Sequence, residues 1–174
     1  QTMVKNLTAF LDSYHRLTHL PEPEYKTVSV PALFTKLERL LQAEPRSERV
    51  VYCDGKADKS TGKELQVYGD ANLLTLALIN LIRNALQAVE GQEDGIVRVD
   101  TCAGATGHLL ITITDNGPGI PPERLSAIFT PFFSTKSGGS GIGLPISQRI
   151  MQLHGGQLSV SSIPNVRTEF RMEF

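Results

Sequence analysis

The segment at residues 72–90 constrains the fold of this chain most strongly, because it is apolar on almost every side. A helix of this kind belongs in the interior of a domain. Its polar exceptions fall within a stripe of roughly 100° on one face: Asn80, Arg83, Asn84 and Gln87. Asparagine has a low helix propensity, and a buried amide needs a hydrogen-bonding partner. The stripe therefore indicates either a cavity wall, with amide oxygens facing a cation or ligand, or a surface that meets solvent or a neighbouring loop.

Length and composition limit the class of protein. A chain of 174 residues with 40% hydrophobic and 20% charged residues suits one domain with a substantial core. The net charge of −1 gives no reason to expect nucleic acid as a partner. Cys53 and Cys102 are too few for a disulfide framework, which favours a reducing, cytosolic setting. The chain begins at Gln1, so we expect it to be a fragment of a longer protein. The sequence does not decide whether that longer protein is bound to a membrane.

The remaining pattern predicts helices interleaved with mostly antiparallel strands. Besides the central helix, we expect helices at 31–44 and 141–153 and a short one at 122–129. Strands are expected at 28–30, 48–53, 64–68, 96–102, 108–114, 157–161 and 168–174. This order indicates an α/β two-layer sandwich, in which three main helices cover one face of a mixed, mostly antiparallel sheet.

The N-terminal part of the chain is predicted to be separate. Residues 1–20 carry a short coiled-coil-like seam and are expected to form a helical stub. The prolines that follow end this helix, so residues 21–30 are assigned to a linker and first strand. The main domain is expected at 31–174.

Asp115, Asn116, Gly117, Pro118, Gly119 and Ile120 follow one another where a predicted strand ends. An ionised Asp115 only accepts hydrogen bonds, so it suits the exocyclic amine of an adenine. Gly117 and Gly119 would let the backbone approach a flat ring. Asn-Gly and Pro-Gly are also ordinary turn formers, and for this segment alone a plain turn is the stronger interpretation.

The glycine-rich sequence SGGSGIGL, residues 137–144, opens the predicted helix at 141–153. Free N–H groups and the helix dipole at such a start favour phosphate. The segment is not a P-loop, because no Gly-Lys-Ser/Thr ends it, and it is not a dinucleotide fingerprint, because no strand precedes it. A flexible linker is the alternative.

Three phenylalanines and a lysine, Phe129, Phe132, Phe133 and Lys136, lie between these two loops. They predict a lid over residues 130–140 that is mobile without nucleotide, with aromatic anchors and a cation to meet phosphates. A loop pinned to the core by its phenylalanines is the alternative, and both can hold at once.

Taken in order, the segments NLIRNALQA, DNGPGI, IFTPFFSTK and GGSGIGL resemble the N, G1, F and G2 boxes of the ATP-binding domain of sensor histidine kinases. That domain has the Bergerat (GHKL) fold, which it shares with gyrase-type, mismatch-repair and heat-shock-chaperone ATPases. The resemblance covers roughly residues 31–174. It implies ATP and Mg²⁺ as cofactors, with Asn84 as the Mg²⁺ ligand and Asn80 assisting. It also implies a nucleotide-binding role for Asn80, Asn84, Gln87, Asp115, Gly117, Gly119, Ile120, Phe132, Lys136, Gly139, Gly141, Gly143, Leu144 and Thr168.

Three features depart from the family pattern. Arg167 replaces the glycine of the final-strand Gly-Thr pattern to which Thr168 belongs, and Gln87 stands where many members carry a basic residue. No His-Glu/Asp-x-x-Asn/Thr-Pro phosphoacceptor motif is present, and His15 and His19 lack its context. The NALQA version of the first box resembles nitrogen-regulation-type kinases.

The resemblance implies a kinase domain that transfers the γ-phosphoryl group of ATP to a histidine on a dimerisation domain missing from this chain. A response regulator and a homodimeric parent are the implied partners, without nucleic acid. The domain is expected in the cytoplasm, and anchorage of the parent in the inner membrane stays open. No residue is assigned as catalytic.

Two other functions remain as alternatives. Clamp and chaperone ATPases of the same fold carry a glutamate four residues before the Mg²⁺-ligand asparagine, where it acts as general base on water. This chain has Asn80 there, and an amide cannot take the proton, which favours a kinase over a hydrolase. A non-catalytic nucleotide-sensing module is the third candidate.

Overall fold

The structure is a computed structural model that describes residues 19–53, 62–103, 108–135 and 139–174. The regular elements, in chain order, are β1 (Lys26–Ser29), α1 (Val30–Leu41), β2 (Val50–Tyr52), β3 (Gln66–Gly69), α2 (Ala71–Ala88), β4 (Val97–Ala103), β5 (Leu109–Asp115), α3 (Gly143–Leu153), β6 (Gln157–Ile163) and β7 (Arg167–Glu173). Short 3₁₀ helices lie at Ser47–Arg49 and Pro122–Arg124. The helix predicted at 1–20 lies almost wholly outside the described residues.

The strands form two sheets rather than one. β1 and β3 pair antiparallel as a two-stranded sheet, and the larger sheet has the order β2-β4-β5-β7-β6. Its β2–β4 pair is parallel and its other pairs are antiparallel, as expected for a mixed, mostly antiparallel sheet. The helices α1 and α3 each pack on α2, and α2 and α3 pack on the larger sheet. The predicted α/β two-layer sandwich is confirmed.

Several element boundaries differ from the predicted ones. The third helix begins at Gly143 rather than at residue 141, because Gly141 has a φ of +67°, which no right-handed helix accommodates. The helix predicted at 122–129 is only the 3₁₀ turn Pro122–Arg124, followed by further turns. The first helix ends at Leu41, before the predicted end at 44.

Helix α2 forms the centre of the core, as its apolar sequence predicted. Leu74, Leu78, Leu81 and Ile82 have no measurable exposure to solvent. The side chains of β5 alternate between buried and half-buried along the strand, and β5 packs on this helix. In the part of the chain that the structure describes, no helix combines the length and apolarity needed to cross a membrane.

Asp70 fixes the start of α2. It is the N-cap residue, and its Oδ1 accepts the backbone N–H groups of Asn72 at 2.8 Å and Leu73 at 3.1 Å. Its Oδ2 accepts the N–H of Glu24, before β1, at 2.8 Å. The backbone N–H of Asp70 donates to Nε2 of His154, the residue that caps α3, at 2.9 Å. Asp70 therefore joins the starts of α2 and β1 to the end of α3.

The hydrogen bonds to Asp70 shift the pKa of its carboxyl in the folded protein. Burial alone would raise the pKa of this carboxyl, but the N–H donors of Glu24, Leu73 and Asn72, together with nearby His154, outweigh burial. The pKa of Asp70 therefore lies below its ordinary value of 3.8. Because the folded-state pKa is depressed, the contribution to stability is present above the unfolded-state pKa and is lost as the pH falls through the folded-state value.

We expect Asp70→Ala to lower the free energy of unfolding by about 1–2 kcal/mol at neutral pH, since the helix cap is lost. Asp70→Asn should cost less, because the amide oxygen still caps the helix, and its stability should vary less between about pH 5 and pH 3. Urea denaturation followed by circular dichroism at several pH values measures both effects. Parallel pH profiles for the wild type and Asp70→Asn would contradict this role.

Candidate functional site

A cavity of about 460 Å³ lies between α2, the loop that follows β5 and the glycine loop before α3. Its volume is within the usual range for small-molecule sites. The whole polar stripe of α2 lines it, namely Asn80, Arg83, Asn84 and Gln87. Asn80 and Asn84 are half-buried, while Arg83 and Gln87 are more exposed. Of the two interpretations of the stripe, the cavity wall is the one that the structure shows.

One end of the cavity holds a buried carboxylate. Asp115 is the last residue of β5 and is only 2% exposed. Its Oδ1 accepts the N–H of Gly117 at 2.9 Å. In the sheet register it pairs with Thr168 of β7, which also lines the cavity and is 3% exposed. This end offers a hydrogen-bond acceptor shielded from water.

Ser162 of β6 links the groups at this end of the cavity. Its Oγ lies 3.1 Å from Oγ1 of Thr168 and accepts the N–H of Ile120 at 2.8 Å. The strand β7 and the loop after β5 are thereby held together. Sequence reasoning missed Ser162, because its only signal is the pairing of Ser162 with Thr168 in the β6–β7 register.

The glycines of the first loop are required by close contacts. A Cβ on Gly117 would lie 2.7 Å from Asp115 Oδ1 and 3.0 Å from Ala88 Cβ. Gly117 therefore lies between the carboxylate and the end of α2, behind the cavity wall. Gly119, which does line the cavity, has a φ of +77°, and a Cβ there would lie 2.8 Å from Pro164 Cα.

The glycine loop before α3 forms the other end of the cavity. The carbonyl oxygen of Gly141 accepts the N–H of Phe132 at 3.0 Å, and a Cβ on Gly141 would lie 2.6 Å from the Phe132 carbonyl carbon. Asn80 Nδ2 donates to the carbonyl oxygen of Gly143, the first residue of α3, at 3.3 Å. Gly139 and Leu144 complete this wall. The N-terminus of an 11-residue helix thus meets the asparagine stripe.

The aromatic loop differs in detail from the sequence-based expectation. The position on the cavity wall that was expected for Phe132 is taken by Phe133. Phe132 has a φ of +66° and is 39% exposed, whereas Phe133 packs against the core. Lys136 and the rest of residues 136–138, which belong to the predicted lid, lie outside the described residues.

The cavity is also lined by two arginines, Arg83 and Arg124. Neither was predicted from the sequence to bind a ligand. Arg83 is ion-paired with Glu44, which follows α1. Arg124 ends the 3₁₀ helix Pro122–Arg124, close to the loop that carries Gly119. The composition of this cavity suits a ligand with a flat N–H-bearing ring at the Asp115 end and an anionic group at the α3 end.

Comparison with known proteins agrees with this geometry. Residues 69–174, more than half of the chain, match the family described as histidine kinase-, DNA gyrase B-, and HSP90-like ATPase. The chain belongs to this family. Its Bergerat fold and its ATP-binding character, both expected from the resemblance of the four boxes, are confirmed.

Proteins similar to this ATPase-family chain include sensor kinases. It is 43% identical over 98 residues to the sensor histidine kinase ZraS of Salmonella typhimurium, covering 56% of this chain and 21% of ZraS. It is 34% identical over 163 residues to the sensory histidine kinase/phosphatase NtrB of Vibrio alginolyticus, covering 88% of this chain and 45% of NtrB. The chain therefore spans less than half the length of either relative. The nitrogen-regulation subclass stays a prediction, since ZraS and NtrB both match.

A solved structure supports the same type of domain. The catalytic domain of histidine kinase ThkA superposes with a TM-score of 0.70 at 27% identity, covering 87% of this chain and 95% of that one. The chain is thus an ATP-binding catalytic domain of the histidine kinase type.

Gly119→Ala should lower the free energy of unfolding by about 1–3 kcal/mol, because the residue has a positive φ and lies against the Pro164 backbone. Gly143→Ala provides a matched control within the same cavity. A Cβ there meets its nearest atom, Asn80 Cγ, at an ordinary 3.7 Å, so stability should stay equal or rise by up to about 1 kcal/mol. Denaturant unfolding of both variants tests this difference, and equal losses would refute it.

Proposed function

We propose that this chain binds ATP with Mg²⁺ and transfers the γ-phosphoryl group to a histidine on a dimerisation domain of the same protein. The observation that carries the proposal is the cavity itself, in which a buried carboxylate and a helix N-terminus lie at opposite ends of one polar helix stripe. The similarity to sensor histidine kinases supports the type of reaction.

Adenine fits the Asp115 end. The two oxygens of an ionised carboxylate can accept several hydrogen bonds, one of them here from the Gly117 N–H, and an exocyclic amine is a suitable donor. Gly119 and Ile120 line one wall there, and Ile128 adds apolar surface. Thr168 supports this end through its bond to Ser162.

The phosphates fit the opposite end of the polar stripe of α2. Ala88 lies against the Gly117 turn and Asn80 lies against Gly143, and these two helix positions are about 12 Å apart at 1.5 Å per residue. The nucleotide would therefore lie along α2, with its phosphates at the N-terminus of α3, where N–H groups and the helix dipole favour anions.

A Mg²⁺ ion at this end would depend on asparagine. Among the described residues, no three His, Cys, Asp or Glu side chains are grouped as metal ligands. Mg²⁺ takes oxygen ligands and is commonly shared with substrate phosphates, so neutral amide oxygens suit it. The Nδ2–H of Asn80 donates to the carbonyl oxygen of Gly143, so the amide oxygen of Asn80 would be the atom that binds the cation. Asn84 lies one helical turn later and also lines the cavity. The bound ion would offset phosphate charge during transfer.

The distribution of carboxylates favours transfer over hydrolysis. Among the described cavity-lining residues, Asp115 is the one carboxylate, and it lies at the adenine end. Position 80, where a general base for water would stand, carries an amide that cannot take a proton. Positioning and charge neutralisation are then what this domain contributes to phosphoryl transfer.

The proposal includes the partners implied by a sensor kinase. The acceptor histidine would lie on a dimerisation domain, the parent would be a homodimer, and a response regulator would receive the phosphoryl group next. Residues 31–174 would form the catalytic unit, with residues 1–20 as the end of a dimerisation helix. The catalytic unit would work in the cytoplasm, where ATP is available.

Asp115→Asn should weaken ATP binding by about tenfold or more, because the new amide can present an N–H to the adenine amine. The variant keeps an oxygen for the Gly117 N–H, so the fold should survive. Calorimetric titrations with ATP and GTP measure the effect. Equal affinity of the wild type for the two nucleotides, unchanged in the variant, would contradict adenine recognition by Asp115.

Phosphoryl transfer is tested by mixing the chain with a separately produced dimerisation domain, Mg²⁺ and γ-labelled ATP. The label should appear on a histidine of the added domain, as an acid-labile and alkali-stable product, and not on this chain. Asn84→Ala should abolish most labelling. Asn72→Ala, on the same helix but bonded to Lys36 outside the cavity, should label like the wild type. Steady hydrolysis of ATP by the chain alone, lost in Asn84→Ala, would instead indicate an ATPase.

A further inference from the structure

Among the described residues, few cations line the cavity where the phosphates would lie. A triphosphate carries several negative charges, whereas Asn80, Asn84 and Gln87 are neutral. Among the cavity-lining residues that the structure describes, the cations are Arg83 and Arg124. Their positions in the fold decide which of them can meet the phosphates.

Arg83 lies toward the phosphate end of the polar stripe on α2. It follows Asn80 by three residues, which places the two on neighbouring turns of the same face. Because helical side chains lean toward the N-terminus of their helix, we expect Arg83 to reach groups beside Asn80 more readily than groups beside Ala88. Arg124 instead closes a 3₁₀ helix that directly follows the loop of the adenine end.

Arg83 is held by a carboxylate that is easily displaced. Its Nε donates to Glu44 Oε1 at 3.0 Å, and its Nη2 bonds to the same oxygen. The Arg83 side chain is 51% exposed and that of Glu44 is 23% exposed. An ion pair this open to solvent contributes little net stability. A guanidinium binds phosphate through two parallel hydrogen bonds, and phosphate carries more charge than one carboxylate.

We propose that Arg83 is a phosphate-binding residue that exchanges Glu44 for the phosphates of the bound nucleotide. The proposal rests on the ATP-binding function proposed above. Without nucleotide, Glu44 orients the guanidinium and offsets its charge. With nucleotide, Arg83 supplies the positive charge that Gln87 does not.

The exchange predicts opposite effects at its two residues. Arg83→Gln should lower the affinity for ATP and ADP by about tenfold or more and leave the affinity for adenosine unchanged. Glu44→Gln should raise the affinity for ATP by up to about fivefold, because the phosphates no longer compete with a carboxylate. In a chain that already carries Arg83→Gln, Glu44→Gln should not change the affinity for ATP any further. Calorimetric titrations of the whole chain with adenosine, ADP and Mg²⁺-ATP measure all of these.

A second ion pair provides a matched control. Arg46 Nη2 lies 2.9 Å from Glu90 Oε1, with side chains 36% and 59% exposed. This pair also joins the segment after α1 to the end of α2, but neither residue lines the cavity. Arg46→Gln and Glu90→Gln should bind all three ligands like the wild type.

Three results would overturn the assignment of Arg83. Wild-type ATP affinity in Arg83→Gln, or an equal loss of adenosine and ATP affinity, would make the residue structural. A loss of ATP affinity in Arg124→Gln but not in Arg83→Gln would give the phosphate contact to the other arginine. A wild-type chain that binds neither adenosine nor ATP would refute the proposed function itself, so the two failures are distinguishable.

Discussion

The burial of α2 determines where every other part of the candidate site can lie. Its apolar side chains, among them the fully buried Leu74, Leu78 and Leu81, pack against the neighbouring helices and the larger sheet. Burying one such side chain contributes about 1.5–3 kcal/mol, so together they fix the rotation of the helix about its axis. With that rotation fixed, Asn80 and Asn84 face the cavity. The orientation of the polar stripe toward the cavity is thus a consequence of core packing.

Both ends of α2 are tied down by hydrogen bonds that come from distant parts of the chain. Asp70 caps the first turn and also binds the N–H of Glu24. At the other end, Arg49 Nη1 donates to the carbonyl oxygens of Val89 at 3.0 Å and Gln92 at 2.7 Å, which complete the C-terminal turn. A helix held in this way keeps a fixed distance between the end of the site proposed for the adenine ring and the end proposed for the phosphates.

The loops at the two ends of the cavity are positioned by backbone geometry. Gly119 and Gly141 both have a positive φ, and each lies so close to another backbone segment that a Cβ would collide with it. These contacts fasten the first loop to the β6–β7 turn and the glycine loop to Phe132. The site is therefore shaped by main-chain contacts. Among the described residues, the charged side chains that line it are Asp115, Arg83 and Arg124.

The sequence by itself determined the central helix, its polar stripe, the two glycine loops and the α/β sandwich, because helical and strand periodicity and turn chemistry are local properties of the chain. Tertiary structure alone decided that the strands separate into two sheets, that Ser162 meets Thr168, and that Phe133 rather than Phe132 faces the cavity. It also decided that Arg83 is held by Glu44, 39 positions away in the chain. Strand register, the sign of φ at one loop residue and long-range ion pairs depend on how the whole core packs, and no local pattern encodes them.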